Sequence, residues 1–202
     1  MVSEKNDNGT IVAEANPAAL MQLAGIKTPE IGEALCNSQL LRATLERWLS
    51  ETLPGYPDEI GPEERDLFMV LERSGSEGLE QLARCIALFI NHELVFLETN
   101  GQVLRVLAGW CGSEKVVRHA ATSRQAVPEA ISALSVFDQE ELVAQTRRIF
   151  ACLVGLMPEA FRARLTLRCE PGSLPQPEKL IKTDMKDLTR LAIVATGLMV
   201  NG

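Results

Sequence analysis

Aromatic side chains make up only 4% of this 202-residue chain, although 46% of its residues are hydrophobic. A core with so few rings must be built mainly from leucine, valine, isoleucine and alanine. Such a composition favours helices packed on helices over a β-sandwich, whose strands are enriched in aromatic and β-branched residues. The sequence therefore predicts a mainly α protein with one globular domain, with or without a small appendage.

No uncharged apolar run reaches the roughly 18 residues that indicate a membrane-spanning helix. The most apolar stretch is Glu77–Leu97, EGLEQLARCIALFINHELVFL, and charged side chains such as Arg84 and Glu93 interrupt both of its halves. A helix that is apolar on nearly every side is buried on most of its faces. We therefore predict that Glu77–Leu97 is the central helix of a soluble domain.

Motifs of catalysis and nucleotide binding are also missing. The sequence contains no GxGxxG, GxxxxGK[ST], GxSxG or HExxH. Its two histidines, His92 and His119, follow Cys85 and Cys111 by seven and eight residues. Zinc-binding pairs usually lie about two to four residues apart. We expect neither a metal site nor a cofactor.

Two pairs of adjacent carboxylates, Glu63-Glu64 and Glu140-Glu141, are the nearest approach to an acid–base pair. Both pairs lie in the first turn of a predicted helix, where acidic side chains stabilise the unpaired backbone N–H groups. This structural role explains them better than catalysis does. The sequence thus predicts no catalytic residue and a protein that is not an enzyme.

The sequence contains five cysteines, which are widely spaced and form no CxxC pair. They are Cys36, Cys85, Cys111, Cys152 and Cys169. Three of them lie inside apolar runs, so we expect reduced, buried thiols in a cytoplasmic protein. The remaining catalytic alternative is a small enzyme that uses Cys111 or Cys85, and inert thiols at neutral pH would rule it out.

The first ten residues, MVSEKNDNGT, are polar and lack the apolar segment of a signal peptide, so we expect the protein to stay in the cytoplasm. Residues 1–15 show no hydrophobic periodicity and are predicted to be a disordered tail. From residue 16 to residue 202, helix starts, apolar stripes and short connections follow one another. This succession predicts a single, mostly helical domain.

The net charge of −7 is distributed unevenly. Residues 1–100 carry seven basic and seventeen acidic side chains, whereas residues 101–202 carry thirteen basic and ten acidic ones. An acidic total argues against nucleic-acid binding, which needs clustered Lys and Arg. The asymmetry suits a protein that bridges two partners, and an ordinary solvated surface explains it equally well.

The apolar period changes once, in FRARLTLRCEPGSLP after Pro158. Arg162, Arg164 and Arg168 alternate there with apolar residues, and a period of two is typical of a strand. The sequence thus predicts one short amphipathic β segment near residues 162–169, with a basic face. Two hypotheses account for this face: the guanidinium groups bind an acidic partner protein, or they protect an exposed edge strand from aggregation.

Three stretches together resemble the SctK/YscK-type accessory proteins of bacterial type III secretion. They are SQLLRATLERWL at Ser38–Leu49, LARCIALFINHELVFLETNGQVLRVLAGWCGSE at Leu82–Glu114 and FACLVGLMPEAFRARLTLRCEPGSLP at Phe150–Pro175. The third combines a helix that ends near a proline, an amphipathic strand and a proline-rich connector, in the order that the family shows. The chain departs from the family at His92, where a glycine is expected, and at residues 96–97, where many members carry a basic pair.

The resemblance implies a non-enzymatic adaptor of the secretion sorting platform, with protein partners and no nucleic acid. Family members sit between the cytoplasmic domain of the inner-membrane ring protein and the pod-forming, C-ring-like protein, and they support protein secretion and virulence. The stator of the export ATPase is a further expected partner. The protein would then act at the cytoplasmic face of the inner membrane, held there through its partners alone.

The alternative function is a regulatory or chaperone-like helical protein that binds a single partner in an apolar groove. Such a groove needs an exposed apolar patch of several hundred Å². Phe96, Leu97 and Trp110 are the candidate residues for it. We predict instead that these three side chains belong to the core, as large apolar side chains usually do.

Overall fold

The computed structural model describes residues 11–200. In this range the chain forms eleven helices and no strand, which confirms the prediction of a mainly α protein. The helices are α1 (Ile11–Glu14), α2 (Pro17–Ala24), α3 (Pro29–Asn37), α4 (Gln39–Thr52), α5 (Pro62–Ile90), α6 (His92–Leu97), α7 (Gly101–Cys111), α8 (Glu114–Thr122), α9 (Gln139–Leu156), α10 (Glu159–Arg168) and α11 (Lys182–Val200). None of these helices combines the length and the apolar character that a membrane crossing requires.

The described chain divides into two compact units. One unit contains α1 to α4 and α10, and the other contains α5 to α9 and α11. Each unit encloses its own set of buried apolar side chains. The sequence predicted a single domain over residues 16–202. The two units do not decide whether the chain folds as one domain, so this stays a prediction.

The start of the chain differs from the predicted tail over residues 1–15. Residues 1–10 lie outside the described range, whereas Ile11–Glu14 forms the single turn of α1. Ile11 and Val12 are buried in one apolar cluster with Leu20 and Leu49. The predicted tail is therefore too long, because burial of two adjacent apolar side chains offsets the entropy lost when a short segment is ordered.

The predicted β segment near residues 162–169 is wrong, since these residues lie in or directly after helix α10. Its buried residues Phe161 and Leu165 are four positions apart, which is the spacing of one helix face. Ala, Leu and Arg are also strong helix formers. The alternation of polar with apolar residues begins only at Phe161, because Ala160 before it is apolar as well.

In the first unit, residues that favour the start of a helix stand at a helix start. The Asn16 side chain accepts a hydrogen bond from Ala18 N (2.9 Å) and caps α2. Its own backbone N–H donates to Leu167 O (2.7 Å), which ties the start of α2 to α10. Helix α4 buries only part of its apolar side, because Leu49 is buried and Leu41 is exposed.

Helix α5 is the centre of the second unit. Gly75 interrupts it with φ = 66°, which makes a kink between two helical halves. The half that follows the kink is buried at almost every position from Leu79 to Ile90. It packs against α7, α8, α9 and α11. The predicted central helix is confirmed over this half.

The central helix ends at Ile90 and does not continue to Leu97. Asn91 leaves the helical conformation (φ −94°, ψ 28°), and the separate short helix α6 begins at the next residue. The Asn91 side chain donates to Ala87 O (2.8 Å) and accepts from Leu134 N (2.7 Å). Asparagine side chains that bond to backbone groups in this way compete with continuation of a helix.

The proline-rich connector predicted between the last two helices is confirmed, because residues 169–181 contain neither helix nor strand. From Pro175 onward it lies against α9, where Glu178 N donates to Ala151 O (3.0 Å). The Glu178 carboxylate accepts from Arg148 Nη2 at 3.0 Å. Gly155 permits this approach, because a Cβ at that position would collide with the Glu178 carbonyl oxygen.

Candidate functional site

Arg164, one of the three arginines predicted to bind a partner, is an internal residue of the first unit. Its side chain is only 5% exposed. Nη1 donates to Pro54 O (2.8 Å) and to Ala160 O (2.9 Å), and the guanidinium carbon lies 4.1 Å from the centre of the Tyr56 ring. Two carbonyl acceptors and an aromatic face hold the guanidinium group inside the unit, although its buried Nε has no hydrogen-bond partner among the described residues.

Arg162 and Arg168 do not complete a common binding face with it. Arg168 Nη1 lies 2.7 Å from Glu14 Oε2, and Arg162 is half-buried. Successive helical residues turn by about 100°, so positions 162 and 164 point to nearly opposite sides of α10. The predicted basic face of Arg162, Arg164 and Arg168 is therefore wrong in its geometry. The protected edge strand fails for the same reason, since the segment is not a strand.

Cys85 and Cys111 form the closest approach to a reactive centre. Cys85 Sγ lies 3.5 Å from Cys111 O, and Cys111 Sγ lies 3.3 Å from Ser113 O. The hydrogen bond between the two side chains lowers the pKa of Cys111 to about 7 and, together with burial, raises the pKa of Cys85. A thiol with a lowered pKa is chemically competent as a nucleophile.

The two thiols are not accessible to a substrate in this structure. The side chains of Cys85 and Cys111 are both 0% exposed, so a substrate does not reach either sulfur. His119 is engaged elsewhere, with Gln125 Nε2 3.2 Å from its Nε2 and with the Phe89 ring at its edge. Between residues 11 and 200, no three His, Cys, Asp or Glu side chains are grouped as metal ligands would be.

A buried polar network holds the segment between α8 and α9. Asn91 Nδ2 donates to Gln145 Oε1 (2.6 Å), and Gln145 Nε2 donates to Ser132 O (2.7 Å). Asn91 Oδ1 accepts from Leu134 N (2.7 Å). Both amide side chains are nearly fully buried and have little access to water. Their polar atoms therefore depend on these hydrogen bonds within the protein.

Asp184 of α11 fixes the same segment at a second point. Its carboxylate is 2% exposed and accepts from Glu129 N (2.8 Å) and Ala130 N (3.2 Å). Backbone N–H donors compensate a buried carboxylate effectively. The segment that follows α8 is thereby fixed at Glu129 and Ala130 by α11 and at Leu134 by Asn91.

The prediction that Phe96 and Leu97 belong to the core is wrong. Phe96 is 69% exposed and Leu97 is 70% exposed, whereas Trp110 is half-buried. Helix α6 has only six residues, and Val95 is its one buried side chain. A helix this short buries only the side that faces its neighbour, and the opposite side presents two large apolar side chains to solvent.

A groove of about 600 Å³ lies between α6 and α8, beside these two side chains. Phe96, Leu97, Ala120, Ala121, Glu93 and Arg124 line it. A second groove of about 410 Å³ lies on the other side of α8, against α7. It is lined by Leu104, Arg105, Ala108, Glu114, Val117, Arg118 and Ala121. Since Ala121 belongs to both, the grooves adjoin, and together they are called the α8 surface below.

The rim of the α8 surface is basic on the α7 side. The guanidinium groups of Arg105 and Arg118 are exposed and form no ion pair with any residue of the described chain. On the α6 side, Arg124 lies 3.9 Å from Glu93, and both side chains are largely exposed. Exposed pairs at this distance contribute little to stability. The α8 surface therefore combines an apolar floor with available positive charge.

The sequence named Phe96 and Leu97 as candidate groove residues but assigned them to the core, and it missed the groove residues of α7 and α8 because the three helices are adjacent only in the fold. The one available signal was the clustering of Phe96 and Leu97 at the end of an apolar stretch. Comparison with known proteins adds no further assignment, since no protein-family model, curated protein or solved structure matches the chain.

Proposed function

We propose that this protein is a non-enzymatic adaptor that binds other proteins, and that the α8 surface is one of its binding sites. One observation carries the proposal: Phe96 and Leu97 stand about 70% exposed at the edge of a groove. Contiguous exposed apolar side chains with a polar rim are typical of protein interaction sites. Burial of Cys85 and Cys111 supports the non-enzymatic part of the proposal, because a substrate does not reach these two candidate nucleophiles.

The specific proposal is an adaptor of the type III secretion sorting platform. It would link the inner-membrane ring to the pod-forming, C-ring-like protein at the cytoplasmic face of the inner membrane. The support is the resemblance of Ser38–Leu49 and Leu82–Glu114, the second of which contains α6 and α7. The third resembling stretch now supports the proposal less, because its strand is helix α10.

A second candidate is a regulatory or chaperone-like protein with a single partner. The exposed Phe96 and Leu97 favour it as much as they favour an adaptor, since one groove suffices for one partner. The two candidates differ in what the cell loses without the protein. An adaptor is needed for assembly of the whole secretion platform, whereas a chaperone protects one client.

We expect deletion of the gene to abolish secretion of type III substrates without slowing growth. The wild-type gene should restore secretion, and F96A/L97A should restore less than a tenth of it, because truncation removes the apolar contact. Substrates in the culture supernatant are measured by immunoblot. Val136→Ala is the matched control, because Val136 is exposed but lies outside the α8 surface, and it should secrete within twofold of wild type.

Normal secretion by the deletion strain would contradict the specific proposal. If secretion persists while a single protein disappears from the cytoplasm, the chaperone-like candidate is the correct one. Substrate turnover by the purified protein, lost on Cys111→Ser, would contradict both candidates.

A further inference from the structure

We infer, as a refinement that rests on the proposed function, that the α8 surface binds an amphipathic helix of a partner protein. The apolar face of this helix would occupy the two grooves beside α8, and acidic residues at its edge would pair with Arg105 and Arg118. The partner is thus specified by its chemistry: a helix with large apolar side chains and with Asp or Glu beside them.

The shape of the surface favours a helix as the occupant. Both grooves run between helices, and small side chains form part of their floor, namely Ala108, Ala120 and Ala121. Small side chains let a third helix approach the typical interaxial distance of about 8–10 Å. Phe96 and Leu97 then contact one side of the incoming helix, as the walls of helix-binding grooves do.

The positive charge of the α8 surface favours acidic residues along the edge of the partner helix. The groove between α7 and α8 is lined by two arginines, which form no ion pair with described residues, and by one acidic residue, Glu114. Guanidinium groups bind carboxylates through two parallel hydrogen bonds. The exposed contact of Arg124 with Glu93 is weak enough for a partner carboxylate to replace Glu93.

A second copy of this chain is the main competing occupant. Helix α3 carries Glu30 and Glu33 around an exposed Ile31, so the chain itself contains a short acidic amphipathic helix. Self-binding through that helix would join unlike surfaces and extend from copy to copy. An oligomer that grows with concentration would be its signature, and we expect a monomer instead.

The test selects peptides on the full-length protein. A phage-displayed library of helical 18-residue peptides, with all solvent-facing and groove-facing positions randomised, is selected on wild type and counter-selected on F96A/L97A. We expect enriched peptides to repeat large apolar residues at helical spacing and to carry a net negative charge. Their Kd, measured by fluorescence anisotropy, should rise at least tenfold on R105A/R118A and at least thirtyfold on F96A/L97A.

Arg147→Ala is the matched control, because Arg147 is exposed on α9 and lies outside both grooves; its Kd should stay within twofold of wild type. Circular dichroism melting of each variant separates lost binding from lost folding. Light scattering at increasing protein concentration measures self-association.

Failure to enrich any peptide, enrichment without acidic bias, or a Kd unchanged by R105A/R118A would overturn the inference. An oligomer that F96A/L97A dissociates would overturn it in favour of a second copy. These outcomes are separate from the secretion phenotype: loss of secretion in F96A/L97A without acidic peptides leaves the proposed function standing and removes only the acidic helix.

Discussion

Arg164→Ala is expected to lower the free energy of unfolding by about 2–4 kcal/mol, a loss far larger than that of a surface arginine. The substitution removes two hydrogen bonds, leaves Pro54 O without its donor and takes the guanidinium group away from the Tyr56 ring. Arg164→Lys should recover only part of the loss, because the shorter lysine side chain does not place its nitrogen where Nη1 lies and has no planar group to stack on the Tyr56 ring. Urea denaturation followed by circular dichroism measures the effect.

Arg162→Ala is the matched control on the same helix, and we expect a change within about 0.5 kcal/mol. The comparison also decides what the arginines of α10 do. If Arg164→Ala leaves the unfolding midpoint unchanged but weakens binding to a partner, the internal role of Arg164 is wrong.

Asn91→Ala is the second substitution with a large expected effect, about 3 kcal/mol of unfolding free energy. It leaves the buried Gln145 Oε1 without this donor and the partly buried Leu134 N–H without an acceptor. Hydrogen exchange followed by mass spectrometry should show faster exchange at Leu134 and its neighbours. The apolar core that surrounds α5 should keep its protection at the same denaturant concentration.

A double-mutant cycle with Gln145→Ala tests whether the two amides act as one network. Once Asn91 is replaced, the additional loss on replacing Gln145 should shrink by about 1 kcal/mol, because their shared bond is already gone. Strict additivity of the two losses would show that the residues act independently and that the segment between α8 and α9 is fixed by other contacts.

Local signals predicted the parts of the fold that depend on neighbouring residues. Ser38 accepts a hydrogen bond from Leu41 N and Asp138 accepts one from Glu141 N, so residue types that favour the N-cap position stand at the starts of α4 and α9. The turn around Gly75 is present as a kink with positive φ, which glycine tolerates best. Caps and kinks arise within a few residues, and for this reason the sequence contains their cause.

The wrong predictions concern residues whose partners lie far away along the chain. The break at Asn91 depends on Leu134 and Gln145, which are 43 and 54 residues distant. The burial of Arg164 depends on Pro54, 110 residues away. Hydrophobic periodicity does not contain these contacts, so it extended the central helix through Asn91 and placed Arg164 on an exposed strand.

The candidate site was hidden for a related reason. An apolar stretch predicts burial, and Phe96 belongs to such a stretch, yet burial requires a neighbouring element that covers the side chain. Helix α6 packs on α8 and α5 through its inner side alone, with Val95 buried and Phe96 exposed. Which side of a six-residue helix is covered follows from the packing of the whole unit.

Photocrosslinking from position 96 in the native host tests the central claim most directly. A benzophenone amino acid replaces Phe96 in the full chain, and the same amino acid at Val136, which is exposed outside the α8 surface, is the control. The account predicts an adduct with a sorting-platform protein at position 96, absent from position 136 and lost on R105E/R118E. No adduct at position 96 above the control, in cells that secrete normally, would contradict it.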